Sequence, residues 1–536
     1  MSTKDNTSQE TAADALLNSL QNRREFLQLL MKGLGYTAAI AAMPGCGGGG
    51  SGGGGATTPQ ESIPAASEAY RFLKRTSFGV HRDELSRLQG LGLSAYLEEQ
   101  LDHLLIDDGS LESDLQALFP LAFQTPTELY AGFPDNIAEV ARQVVAASQY
   151  RQIFSRRQLY EVMVEFWSDH FNIQLLNGLC PTLKPRDDLQ VVRAHALGNF
   201  RDLLHASANS SAMLFYLDNF FNIASAPNEN YARELMELHT LGVDGGYTET
   251  DIKEVARCFT GWSFRFPDDT GGDYGDFVYY DSIHDQDSKL VLGQTIAAGG
   301  GQTDGEQVLD LLAGHPSTAR FLASKLCRRF IGDTPADEAV TAVAGAFESS
   351  GGDIKATLRA LFATDAFRNS NDLKVTRPSE YLAGLIRALA PDSAYPTDEG
   401  QLFFFAQSLL GQLPFNWPTP DGYPDIQSYW VSTGGMLNRW RLSFISFAPV
   451  LPAVDVIQID YAGMLNGANT LATLTDALSA AVLMRPLSTP DRDRILSWLT
   501  TEYAVDQDAV LPSGTPEAIA PLVAAVLVSS AYFHLR

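Results

Sequence analysis

The run Arg157-Gln158-Leu159-Tyr160-Glu161-Val162-Met163-Val164-Glu165-Phe166-Trp167-Ser168-Asp169-His170-Phe171 decides the fold. Its apolar residues recur at three- and four-residue spacing, the period of a helix and not of a strand. Turned at roughly 100° per residue, the helix puts Glu161, Glu165, Ser168 and Asp169 on one side. His170 falls on the other, with Met163, Phe166 and Trp167. The helix therefore carries a polar seam and an inward-pointing imidazole.

The same period recurs on either side. Ala69–Thr76, Arg82–Gly90, Ser94–Leu104, Ile137–Tyr150 and Gln190–Leu204 show it, as do Ser317–Ile331, Asp353–Phe362, Pro378–Leu389 and Gly435–Ser446. Leu471–Leu483, Thr489–Thr500 and Pro516–Ser529 complete the series. Alternating patterns are scarce, and Phe277–Tyr280 with Lys289–Leu292 reads as one short hairpin. Phe266–Gly301 is rich in Gly and Asp and reads as a long loop. Leu413–Trp430 carries Pro414, Pro418, Pro420 and Pro424 among aromatics, which excludes a regular helix. The expected fold is all-α: a large multi-helix globular body over residues 65–536 with two long loops and little β. A C-terminal subdomain is expected from about residue 450.

The first 46 residues read differently. Asn22-Arg23-Arg24-Glu25-Phe26-Leu27, an apolar run to Met43, and Pro44-Gly45-Cys46 follow the order of a twin-arginine signal peptide. Gly45-Cys46 resembles the end of a lipoprotein box, with Pro44 where such a box has a small residue. Cys46 is the expected lipidation site. Residues 47–64 open with an almost pure glycine tract, which behaves as a flexible tether. The expected location is periplasmic or cell-surface, with attachment to a membrane through Cys46.

The formal charge is −26. Residues 1–45 contribute nothing to it, since Lys4, Arg23, Arg24 and Lys32 offset Asp5, Glu10, Asp14 and Glu25. So acidic a body argues against nucleic acid as a partner. Besides Cys46 only Cys180, Cys258 and Cys327 occur. They form no Cys-x-x-Cys pair, which removes zinc ribbons, thiol redox motifs and c-type haem attachment.

Candidate chemistry is densest in Asn228 to Gly242. On a helix, Asn230, Arg233, Glu234 and Glu237 share one side, while His239 sits among Tyr231, Leu235 and Leu238. Two histidines, His170 and His239, thus point inward from two helices, and His284-Asp285 adds a third in the Gly/Asp-rich loop. A buried imidazole needs a partner for each nitrogen, whether a carboxylate, a backbone carbonyl or a metal. One reading makes His170, His239, His284 and Asp285 ligands of a divalent metal ion. The other makes the histidines satisfied core residues. Glu234 and Glu237 are acid–base candidates if burial raises one of them; otherwise they and Arg233 form a local ion-pair face. Neither a di-iron Glu-x-x-His nor a His-Glu-x-x-His is present.

Several strings resemble a bacterial family called domain of unknown function 1800. They are Phe166-Trp167-Ser168-Asp169-His170-Phe171, Asn228 to Gly242, Ala256 to Trp262, His284-Asp285, and His315 to Phe321. Arg377-Pro378 with Glu380-Tyr381, and Trp417 through Trp430 to Arg439, extend the likeness. The resemblance implies an exported, mainly helical bacterial protein, found alongside a second exported family of unknown function. It brings no reaction with it. Two functions are expected on these grounds. One is a metal-dependent hydrolase or oxidoreductase acting on envelope or extracellular polymer, with His170, His239, His284, Asp285, Glu234, Glu237 and Arg233 at its site. The other is a non-catalytic surface protein that binds a partner from that second exported family.

Overall fold

In the computed structural model, residues 63–389, 399–447 and 459–536 are described. The twin arginines, Cys46, the glycine tract and the expected boundary near residue 450 lie outside them. Helices dominate, and the strands form two two-stranded antiparallel sheets, as an all-α reading requires. The chain divides into two compact units. One comprises Phe72–Arg387 and Ala394–Trp430; the other comprises the described residues among Met1–Arg71, Ala388–Ser393 and Val431–Arg536.

In the first unit, helix α1 (Ile137–Phe154) is buried along most of its length. Val140, Val144, Val145 and Tyr150 pack with Leu111, Leu115, Phe119 and Leu129. Burying each such side chain contributes about 1.5–3 kcal/mol. Helix α2 (Gln158–His170) follows after a short turn and is buried along most of its length. Its apolar side explains that: Val162, Met163 and Trp167 are at most 1% exposed, and Trp167 donates its indole N–H to the Ala196 carbonyl at 3.0 Å.

Helix α3 (Asn230–Glu234) runs into a π-helical turn over Leu235–His239. Helix α4 (Glu249–Cys258) opens with a capping box in which Thr248 and Asp251 satisfy each other's backbone N–H. Strand β1 (Trp262–Phe264) pairs with β2 (Phe277–Tyr279), and β3 (Lys289–Val291) with β4 (Gln294–Ile296). The expected pairing of 277–280 with 289–292 is therefore wrong. Phe277–Tyr279 turns back onto β1, Lys289–Val291 pairs with β4 across a two-residue turn, and a 3-10 turn over Asp281–Ile283 lies between the two sheets. The expected Gln190–Leu204 helix is also broken. A π turn covers Asp188–Val192, and Asn199 caps a new helix at Phe200–Ala208.

Helices α5 (Thr303–Ala313), α6 (Pro316–Phe330), α7 (Asp337–Ser349) and α8 (Pro378–Leu389) complete the elements used below. Leu413–Trp430 is irregular except for a short helix at Gln427–Trp430. In the second unit, Thr433–Phe447, Leu471–Leu478, Thr489–Tyr503 and Thr515–Val528 are the principal helices. Leu471, Leu474, Leu478, Ile519, Val523 and Leu527 are at most 1% exposed and form its core.

Candidate active site

The polar seam of α2 is not a solvated face. Glu161, Glu165 and Asp169 stand one turn apart, and each meets an arginine from another segment. Arg193 Nη1 reaches Glu161 at 3.0 Å, Arg329 Nη2 of α6 reaches Glu165 at 3.5 Å, and Arg377 Nη1 reaches Asp169 at 2.6 Å. Arg329 also pairs with Glu380 at 2.8 Å. Arg377 extends to Asp425 at 3.5 Å, and Lys374 joins Asp425 and Asp333 at 2.9 and 3.2 Å. Burial raises the carboxyls of both Glu165 and Asp169 above their ordinary range, and outweighs the arginines beside them. A buried pair of this kind is sensitive to loss of either partner.

The last turn of α2 carries His170, which is 1% exposed. Its Nε2 lies 3.0 Å from the His239 carbonyl oxygen. A carbonyl only accepts, so Nε2 holds the proton and Nδ1 keeps its lone pair. Lys325 of α6 donates to that Nδ1 at 2.9 Å. Burial, then the Lys325 charge, holds the His170 imidazole well below its usual range. Burial also brings Lys325 down to about 8, against the pull of Asp169, Asp425 and Asp421. His239 is brought to about 3 by burial and by Lys325. Its ring centroid is 6.0 Å from that of His170 and 5.0 Å from that of Phe171. Lys325 itself is half-buried.

The Pro/aromatic loop borders this lysine. Asn172 donates to the carbonyls of Trp417 and Thr419 at 3.0 and 2.7 Å, and Tyr216 to that of Pro418 at 3.0 Å. These bonds fix the loop so that Trp417 Nε1 meets Asp421 Oδ1 at 2.9 Å. Gly422, at φ 73°, passes so close to the end of α2 that a Cβ there would sit 2.0 Å from the Asp169 carbonyl oxygen. Only glycine allows that approach. Glu234 feels the same loop through Asp421: burial raises its carboxyl, and the charges of Glu237 and Asp421 add to the rise. Arg233 is held by Glu249 at 2.8 Å, Glu229 at 3.3 Å and Glu237 at 3.5 Å. It belongs to an ion-pair lattice.

His284 and Asp285 belong to a different cluster. His284 Nδ1 donates to the Thr260 carbonyl at 2.7 Å, and its Nε2 lies 3.2 Å from Asp304 Oδ2. Lys289 reaches the same Asp304 oxygen at 2.5 Å. Asp285 takes two bonds from Arg257, at 2.7 and 3.1 Å. These groups tie β3 and the loop before it to α4 and α5.

The structure thus joins His170 to His239 but does not add His284 and Asp285. Both nitrogens of His170 are already engaged. Among the described residues, no three His, Cys, Asp or Glu side chains are arranged to hold a metal ion. The expected ligand set His170, His239, His284 and Asp285 is not assembled, because His284 and Asp285 are spent on the β3 cluster. The residues that sequence reasoning passed over are Lys325, Arg329, Arg377, Asp421 and Asp425. The signal for two of their acidic partners was visible, since Glu165 and Asp169 share one side of an otherwise apolar helix with Glu161.

A mainly helical body with a buried charge cluster and a lysine–histidine contact beside a proline-rich loop is the class that fold and site define. Residues 71–534 match the model of a family described as "Protein of unknown function (DUF1800)", and the chain belongs to that family. No curated protein and no solved structure matches it. No described helix is long and apolar enough to cross a membrane.

Proposed function

We propose that this protein is exported by the twin-arginine route, is held at a membrane through Cys46, and is a hydrolase of envelope or extracellular polymer. The observation that carries the catalytic reading is the 2.9 Å contact from Lys325 to His170 Nδ1. It fixes the ammonium in a half-buried place where a proton is easily lost. The neutral amine would accept a proton from the attacking water. Glu234, whose raised carboxyl keeps a proton longer than an ordinary glutamate, would deliver one to the leaving group. His170 positions Lys325 and is itself held by the His239 carbonyl.

The test is hydrolysis of envelope polymers by the full chain purified from its own export route. Lys325→Met and Glu234→Gln should each lower kcat/KM about 10²-fold or more, with folding unchanged by circular dichroism. Equal rates for wild type and Lys325→Met would sink the reading.

A second reading has its own support. His170 and His284 each bond to a backbone carbonyl, as they would in a purely structural role. On that reading the protein binds a second exported protein and catalyses nothing. Co-purification of that partner with Lys325→Met and wild type alike, without turnover by either, would favour it.

A further inference from the structure

The carboxylate side of α2 borders a cavity of about 20 Å³, lined by Gln152 of α1, Glu165, Ser168 and Asp169 of α2, and Gln412 and Tyr423 of the loop segment. Three of its lining atoms, Gln152 Oε1, Glu165 Oε2 and Ser168 Oγ, have no hydrogen-bond partner within the protein. Gln152 is 4% and Ser168 7% exposed, so bulk solvent does not serve them. The cation nearest Glu165 Oε2 is Arg329 Nη2, at 3.5 Å and outside hydrogen-bonding geometry. Buried polar atoms are rarely left in this condition, because each costs about 1–3 kcal/mol.

We propose that this cavity is the binding site of one ordered water, which donates to Gln152 Oε1 and Glu165 Oε2 and accepts from Ser168 Oγ–H. Size, polarity and valence each support it. A water needs roughly 10–15 Å³ on this measure and two to four polar partners. Gln152 Oε1 is an obligate acceptor, Ser168 Oγ is a hydroxyl and Glu165 Oε2 is a carboxyl oxygen, a set that a water's two hydrogens and two lone pairs match. A hard cation fits worse: calcium or magnesium needs about six oxygens around it, and the cavity admits one molecule only. The water gives the Glu165 carboxyl a polar neighbour that its arginine does not supply, and it adds a second link between α1 and α2 beside the bond from Gln158 Nε2 to the Gln152 carbonyl at 3.1 Å.

A crystal structure of the full chain with refined solvent tests this. One peak is expected in the cavity, with contacts to the three atoms of about 2.7–3.2 Å. No peak, or a peak ringed by six oxygens at about 2.0–2.6 Å, overturns the proposal. In solution, oxygen-17 relaxation dispersion counts long-lived internal waters. Ser168→Val, which fills the space, should show one fewer than wild type. Gln152→Leu should show the same loss and serves if the valine variant does not fold. An unchanged count in a folded variant overturns the proposal.

Discussion

Lys325 keeps its charge where the surroundings penalise it, and that has a measurable signature in pH. Its folded value of about 8 lies below the ordinary lysine value near 10.5. A group depressed in the folded state binds its proton more tightly when unfolded. Its contribution is therefore fully present above the unfolded value and is lost as pH falls from about 10.5 through 8. Groups away from Lys325 are shared with Lys325→Met and cancel in the difference, and the two histidines it shifts, His170 and His239, lie below this window. Wild type should gain stability relative to Lys325→Met as pH rises from 8 to 10, read as converging or crossing Tm values. A pH-independent difference would show that Lys325 is not depressed. If Lys325 is also the base, kcat/KM should climb to a plateau through pH 8, and Lys325→Met should lose that limb. Nothing in the local pattern marks this lysine, which lies within an ordinary amphipathic helix. His170 and His239 were legible as inward-pointing, but nothing local reveals that one imidazole rests on the other residue's carbonyl.

At the scale of elements, spacing revealed most helices because apolar period alone determines them. Ile137–Phe154, Gln158–His170 and Pro316–Phe330 fall within a few residues of their expected bounds. The misses have local causes. The Gln190–Leu204 pattern is continuous in hydrophobicity, yet Gly198 and Asn199 stop and restart the helix. Two of the four strands were sensed and those were mispaired, since three-residue strands carry too few side chains to specify register. Two substitutions probe the elements. Gly422→Ala places a Cβ against the Asp169 carbonyl at a positive φ, so it should destabilise by more than about 1 kcal/mol and lower activity, because the loop bears Asp421. An unchanged Tm would mean that the loop yields freely. Thr248→Ala removes the α4 cap and should cost about 1 kcal/mol without touching turnover, as chemical denaturation and the polymer assay can show together.

For the whole molecule, the address and the body are separate problems. The leader has no net charge, and the formal −26 belongs to the remainder. If residues 1–46 act as proposed, Arg23→Lys with Arg24→Lys should leave the chain in the cytoplasm, and Cys46→Ala should release an exported chain from membranes. Fractionation with immunoblotting reads both, and normal export of the double variant would remove the twin-arginine assignment. The helical class was legible because it depends on pattern over long stretches. The site was less so, because its groups come from places as far apart as Asp169 and Arg377, separated by 208 residues.

That separation bears on how the chain is made. When α2 leaves the ribosome, its three acidic side chains have none of their eventual counter-ions; Arg193 comes soon, but Arg329 and Arg377 only after most of the protein has been translated. The first unit therefore closes late, and a product cut short before Arg377 would keep Asp169 without its arginine. If the chain is exported as proposed, a gate that passes finished cargo and refuses unfinished cargo would hold such a fragment back.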